Sequence, residues 1–321
     1  MQHTNLGRSG LTVSRLVLGT MNFGPHTTES DSFSIMDSAI DSGINFFDTA
    51  NVYGGDRKGH TEEIVGNWFT ESGRRDEVVL ATKVYGQTAE HPNGKGVSAK
   101  QIRFAVEESL RRLQTDHIDL YQMHHIDRST PWEELWQAMD VLVAQGKILY
   151  VGSSNFAGWH LAQANEAASR RHSYGLISEQ SKYSLITRDI ELEVLPAAQA
   201  YGIGVISWSP LEGGLLGGVL AKAESGRRSK PRVRERIESL RPQLEQWEQL
   251  CADLGHGPGD VALAWQHTRP GITGPIVGPR TMDQLDGARR ALDINLDEST
   301  LARIDEIFPG PGGPAPEAYA W

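Results

Sequence analysis

Cysteine is nearly absent: Cys251 is the single one in 321 residues. That excludes an internal disulfide and any metal site built from cysteine alone, and no metal is expected. Positive charge is also short, with 31 Lys and Arg against 41 Asp and Glu, a formal net charge of −10. Such a balance argues against a nucleic-acid partner, which needs phosphate-neutralising surface, yet it allows a local basic pocket for one small anion. No run of about 18 apolar residues occurs, so no membrane span is expected. The stretch from Val205 to Ala221 comes nearest, and Pro210 and several glycines break it. Met1 to Gly10 is polar and lacks a signal-peptide core, which points to a soluble, cytoplasmic protein of a reducing compartment. Two familiar phosphate loops are missing as well. The first strand candidate runs into Leu18-Gly19-Thr20-Met21-Asn22-Phe23-Gly24, which does not fit G-x-G-x-x-G, and Gly94-Lys95 is followed by Gly96 where a Walker motif needs Ser or Thr.

What is present is an alternation. Short apolar runs stand at Leu16–Leu18, Asn45–Phe47, Val78–Ala81, Ile118–Gln122, Ile148–Gly152, Leu176–Glu179, Gly204–Trp208 and Ile272–Val277. Between them lie amphipathic stretches with apolar residues three and four apart, such as Asp31–Asp41, Ser98–Leu113, Trp132–Gln145 and Glu191–Tyr201. Ser98 and Thr130-Pro131 offer helix starts; Gly43, Gly146 and Gly202 offer helix stops. Strict β-α alternation implies parallel strands, because parallel neighbours need a crossover helix. Eight such units predict one α/β domain over residues 1–321, a closed (β/α)₈ TIM barrel, with an open doubly wound sheet as the alternative. Residues 2–14 are expected to form a hairpin turning at Gly7 to Gly10 and capping the base. Residues 213–257 form a long insertion after the seventh strand.

Titratable residues gather at consecutive strand ends. Asp48 closes the second strand and Tyr53 follows five residues later; Lys83 closes the third and His124 the fourth. In a parallel barrel these positions converge at the C-terminal mouth, where barrel active sites lie. An ammonium in hydrogen-bond reach favours a tyrosine's ionisation, and a carboxylate keeps that ammonium charged and oriented. A histidine can share the substrate's oxygen. This Tyr–Lys–Asp–His set suits proton donation to a developing alkoxide, that is, carbonyl reduction, and the hydride must come from a cofactor.

At this point the chain resembles the aldo-keto reductase superfamily, bacterial members and potassium-channel β-subunit-like ones included. The matching stretches are Leu18-Gly19-Thr20-Met21, Phe47-Asp48-Thr49-Ala50 with Tyr53-Gly54, Thr82-Lys83, and Leu120-Tyr121-Gln122-Met123-His124. Gly152-Ser153-Ser154-Asn155-Phe156, Glu179-Gln180, Trp208-Ser209-Pro210-Leu211 and Val277-Gly278-Pro279-Arg280 follow in order. The resemblance implies a (β/α)₈ barrel holding NADPH at its mouth, and reduction of an aldehyde or ketone. It gives Tyr53 the role of general acid, with Lys83 and Asp48 tuning it and His124 orienting the carbonyl. It assigns the nicotinamide to Ser154, Asn155 and Gln180, with Trp208 stacked on the ring and Gly19, Thr20, Met21 and Asp48 nearby. The backbone of Ser209, Pro210, Leu211, Gly214 and Leu215 would line the pyrophosphate. Gly278, Arg280 and Gln284 would take the adenosine end, Arg280 favouring a 2′-phosphate. Members often carry Asn four residues after that Gln; here the position is Ala288.

Phe23, Tyr85 and His125 are candidates for substrate contact, on loops that follow the first, third and fourth strands. Two other readings stand beside the leading one: a keto or enoyl reductase of nucleotide-linked sugars, and a cofactor-binding regulatory subunit with little turnover. Six basic residues crowd 227–236 (Arg227, Arg228, Lys230, Arg232, Arg234 and Arg236), either as a solvated helix start or as a guide for cofactor phosphates. The proline-rich tail from Phe308 to Trp321 ends in Tyr319 and Trp321 and is expected either to reach the pocket rim or a neighbour, as in a homo-oligomer, or to be a frayed end.

Overall fold

The computed structural model describes residues 1–220 and 231–315. Arg227, Arg228, Lys230, Tyr319 and Trp321 lie outside the described residues. The chain opens with an antiparallel pair, β1 (His3–Asn5) and β2 (Thr12–Ser14), joined through Gly7 to Gly10. Eight parallel strands then close a barrel: β3 (Val17–Gly19), β4 (Phe46–Asp48), β5 (Val79–Val84), β6 (Ile118–Met123), β7 (Ile148–Ser154), β8 (Leu176–Lys182), β9 (Gly204–Trp208) and β10 (Ile272–Val277), with β10 returning to pair β3. The closed parallel barrel and the hairpin match the sequence expectation; the open sheet is excluded.

Around the barrel run α1 (Glu29–Asp41), α2 (His60–Ser72), α3 (Ala99–Leu113), α4 (Trp132–Ala144), α5 (Gly158–Ser169), α6 (Val194–Tyr201), α7 (Pro231–Asp253), α8 (Pro258–His267), α9 (Met282–Arg290) and α10 (Glu298–Ile307). Several strands extend beyond their apolar runs, because Lys83, Ser153-Ser154 and Gln180 to Lys182 continue the ladder after the hydrophobic signal stops. Ser98 caps α3 as expected, accepting from the Gln101 amide. Thr130 does not cap α4: its hydroxyl donates to Asp127, and Pro131 itself is the extended cap residue. The Glu191–Tyr201 stretch divides into a single turn at Asp189–Glu191 and α6. Much of the expected insertion after the seventh barrel strand is α7, whose Leu244, Trp247 and Cys251 are buried.

Two cores follow from the period of two along the strands. Inside the barrel Val17, Phe46, Val79, Ala81, Leu120, Ile177 and Ile206 meet Leu6 and Val13 of the hairpin, which plugs the base. Outside, Leu18, Phe47, Leu80, Tyr121 and Val205 pack against the helices. Above the apolar interior, the next inward positions are polar: Asp48 follows Phe46, Lys83 follows Ala81, and Gln122 follows Leu120. The site is this upper layer. The tail begins anchored to α7 and to the segment between β8 and α6. Phe308 meets Trp247 edge-on at 6.0 Å, the Phe308 carbonyl accepts from Arg188, and the Ala315 amide donates to the Leu192 carbonyl.

Candidate active site

Lys83 has no exposed side-chain surface, and burying an ammonium is costly unless every donor is used. All three are: Nζ donates to Asp48 Oδ2 at 2.6 Å, to the Thr49 carbonyl at 2.8 Å and to the Tyr53 hydroxyl at 3.2 Å. Asp48 is held from the other side, where Oδ1 accepts from Gln180 Nε2 at 2.8 Å and Gln122 Nε2 at 3.2 Å. The His124 ring meets the Tyr53 ring edge-on, centroids 5.9 Å apart. The fold therefore brings together the four residues singled out at separate strand ends.

Their protonation follows from burial and charge. Burial alone would lower the Lys83 pKa, but Asp48 and Tyr53 more than offset it and the net direction is up. For Tyr53 the sequence expectation needs correcting. Lys83 does favour the phenolate, yet burial is the larger effect and Asp48 adds to it, so the tyrosine pKa rises. Tyr53 accordingly keeps its proton at neutral pH. Burial, then Lys83 and His125, lower His124 to about 3, leaving a neutral imidazole.

Next to this layer, the ends of β7, β8 and β9 carry an amide and hydroxyl set. Asn155 sits in the left-handed region at φ 59°, and its Nδ2 donates to Ser154 Oγ at 2.9 Å. Ser154 Oγ donates to the Gln180 carbonyl, and Trp208 Nε1 donates to Asn155 Oδ1 at 3.0 Å. A buried carboxyl supports the turn from behind. Glu179 accepts from the Phe156 amide, Ser181 and Ser153, and burial raises it to about 7.

After Trp208 the backbone runs through Ser209 (φ 58°), Glu212 (φ 50°), Gly213 (φ 67°) and Gly214 (φ 100°). A Cβ added at Gly213 or Gly214 would meet nothing within 4 Å, so both glycines serve backbone conformation on an open face. Across the mouth Thr281 caps α9, and Gln284 folds back so that its Oε1 accepts from the Arg280 amide. An amide pocket with a half-buried indole, next to an open left-handed loop and a helix start carrying arginine, fits a nicotinamide dinucleotide in its donor set.

The other expected contact residues have the following surroundings. Phe23 is fully buried in the outer core and does not face a substrate. The Thr20 hydroxyl is buried and donates to the Asp48 carbonyl, so it holds β3 to β4. Gly19 serves packing, since a Cβ there would lie 2.6 Å from the Ile276 side chain. Met21 is half exposed. Ala288 is buried against the core. Tyr85 and His125 do meet, with ring centroids 5.5 Å apart and His125 exposed. Gln122 and the Thr49 carbonyl were not singled out in the sequence. The two-residue alternation that places Gln122 above Leu120 was the signal for the first; a backbone carbonyl leaves none.

The aldo/keto reductase family model matches residues 15–308. The uncharacterized oxidoreductase YrpG of Bacillus subtilis is 54% identical over 327 residues, covering all of both chains. A probable voltage-gated potassium channel subunit beta of rice is 33% identical, covering 92% of each chain. Norsolorinic acid reductase A of Aspergillus parasiticus is 32% identical over 94% of this chain and 79% of its own length. Barrel, polar layer and full-length similarity agree: the chain belongs to the aldo/keto reductase family, whose members are oxidoreductases that act on small carbonyl compounds and generally use a nicotinamide cofactor.

Proposed function

We propose that this chain reduces an aldehyde or ketone to the alcohol with NADPH, and that Tyr53 gives the proton. The observation that carries the reading is the buried Lys83 ammonium, shared between Asp48 and the Tyr53 hydroxyl. When bound, the reduced nicotinamide supplies the hydride that no side chain can give. Tyr53, protonated at neutral pH, donates its phenolic proton to the carbonyl oxygen as negative charge develops there. Lys83 then donates to the phenolate left behind, and Asp48, held by Gln122 and Gln180, keeps Lys83 in place. His124, neutral, aims the substrate oxygen at Tyr53. Acid catalysis of this kind contributes roughly 10²–10⁴ in rate.

Ser154, Asn155 and Gln180 would hold the nicotinamide carboxamide, and Trp208, its indole pinned by Asn155, would stack on the ring. The backbone from Ser209 through Pro210, Leu211, Gly214 and Leu215 would line the pyrophosphate, with Gly278 and Gln284 toward the adenosine. Arg280, next to the Thr281 cap of α9, suits the 2′-phosphate that distinguishes NADPH from NADH, by fork geometry and by the helix dipole. Met21, Tyr85 and His125 would border the substrate.

The complete Tyr–Lys–Asp–His set favours turnover over a purely regulatory role. The test is NADPH oxidation against a panel of aldehydes, diketones and keto-sugars. Consumption with at least one carbonyl compound, matched by alcohol formation, is expected. NADPH binding without turnover on any member would overturn the reading.

A further inference from the structure

Glu212 is an anomaly in its loop. It is a non-glycine residue at positive φ, yet its side chain is only 3% exposed. Four donors from two other segments converge on its carboxylate. Oε1 accepts from Lys182 Nζ and from Arg236 Nη2 at 2.7 Å; Oε2 accepts from Ser184 Oγ at 2.9 Å and Thr187 Oγ1 at 3.1 Å. Lys182, Ser184 and Thr187 stand at and just after the end of β8, and Arg236 stands on the second turn of α7. Lys182 is also the register partner of Trp208. Burial of Glu212 works against its ionisation, but Lys182 and Arg236 prevail and hold its pKa below the ordinary value.

Two cations around one carboxylate leave a local charge of +1. The cations are not sealed in: the Lys182 and Arg236 side chains are 32% and 47% exposed. Each can keep one N–H on Glu212 and turn others outward, since an ammonium carries three donors and a guanidinium five. A fixed pair of cations beside an open left-handed backbone suits a compact dianion. Ordering two long side chains in advance lowers the entropic cost of binding it.

We infer that Glu212 is a positioning residue for the dinucleotide pyrophosphate: it gathers Lys182 and Arg236 at the Ser209–Leu215 loop and fixes that loop's left-handed path. This rests on the cofactor reading above and adds to it the side chains that recognise the phosphates. Glu212 does not touch the reacting atoms, so its effect belongs in cofactor affinity and KM rather than in kcat.

The experiment uses the full chain. Tryptophan fluorescence titrations measure Kd for NADPH and for reduced nicotinamide mononucleotide, which lacks the pyrophosphate, in wild type, Glu212→Gln, Glu212→Ala, Lys182→Met and Arg236→Met. Circular dichroism melts check the fold. Glu212→Ala is expected to weaken NADPH about tenfold or more and the mononucleotide less than about twofold, with Glu212→Gln in between, since it keeps acceptors for the hydroxyls. In Lys182→Met and Arg236→Met, NADPH binding should weaken at low salt and depend less on salt concentration than in wild type. Equal weakening of both ligands in folded variants would overturn the inference and leave Glu212 a general scaffold residue. An unchanged NADPH Kd in all four would overturn it too. Failure of wild type to bind NADPH would instead count against the cofactor reading. Should Glu212→Ala not fold, the two methionine variants decide the matter.

Discussion

Thr82 and Lys83 are consecutive residues of β5, and each serves a buried ion pair on its own side of the barrel wall. Lys83 points inward to Asp48 and Tyr53. Thr82 points outward and donates to Glu62 Oε1 at 2.6 Å, while Arg112 Nε donates to Glu62 Oε2 at 2.8 Å. Both acids and both cations are almost wholly removed from water. By burial and distance the two clusters are nearly interchangeable. They differ in where the hydrogen bonds lead. The outer set joins α2, α3 and β5 and runs on through Arg112 to Glu108 and Arg111, ending among charged side chains on the outer face of α3. The inner set ends on a phenol beside a neutral imidazole, at the mouth. A buried salt bridge is thus no sign of function by itself; one whose hydrogen bonds end on a proton donor in the barrel mouth is.

Breaking the inner cluster at its open end should cost activity and little stability. Tyr53→Phe is expected to lower kcat by about 10²–10⁴, with NADPH still quenching tryptophan fluorescence and the melting temperature nearly unchanged. Retained turnover would refute the assignment. Breaking the outer cluster should do the reverse. Arg112→Met strands Glu62 and should destabilise by about 3–5 kcal/mol in urea unfolding, while kcat per folded molecule stays within about twofold.

Glu179 sharpens the contrast, being a buried carboxyl held by hydroxyls and an amide. Its pKa near 7 lies above the ordinary value, so the folded state favours the protonated acid. The stabilisation is complete below about pH 4.3 and is lost as pH rises through 7, a difference of about 3–4 kcal/mol. Glu179→Gln should flatten that fall between pH 5 and 8, measured by urea midpoints. The smallest effect is a flat line. With His124 near 3 and Tyr53 above its ordinary value, kcat/KM for reduction should vary less than about twofold from pH 6 to 8. A limb near pH 6.5 would show His124 titrating.

The barrel was legible because eight apolar runs recur with helices between them, and a strand buried on both faces must be apolar throughout. The four chemical residues were legible because polar side chains at consecutive strand ends have few other reasons to be there. What escaped was two-sided. The sequence marks Thr20 as part of a motif and Phe23 as a loop residue just after it, but whether such a side chain turns inward or outward is set by packing across β3 and β4. The rise in the Tyr53 pKa depends on how fully the phenol is desolvated, and burial at one atom is not encoded in a motif. Glu212 gave no signal at all, because its partners stand 24 to 30 positions away in the chain.

The hairpin at the base has one more consequence. Leu6 and Val13 fill the lower opening, so the barrel is a vessel with one door. Anything that reaches Lys83 must arrive from above, and bulk protons share that entrance with every ligand. Removing the plug would open the underside of the site to bulk water and raise the local dielectric. Tyr53 and Lys83 would then drift back toward their solution acidities, without any substitution in the mouth.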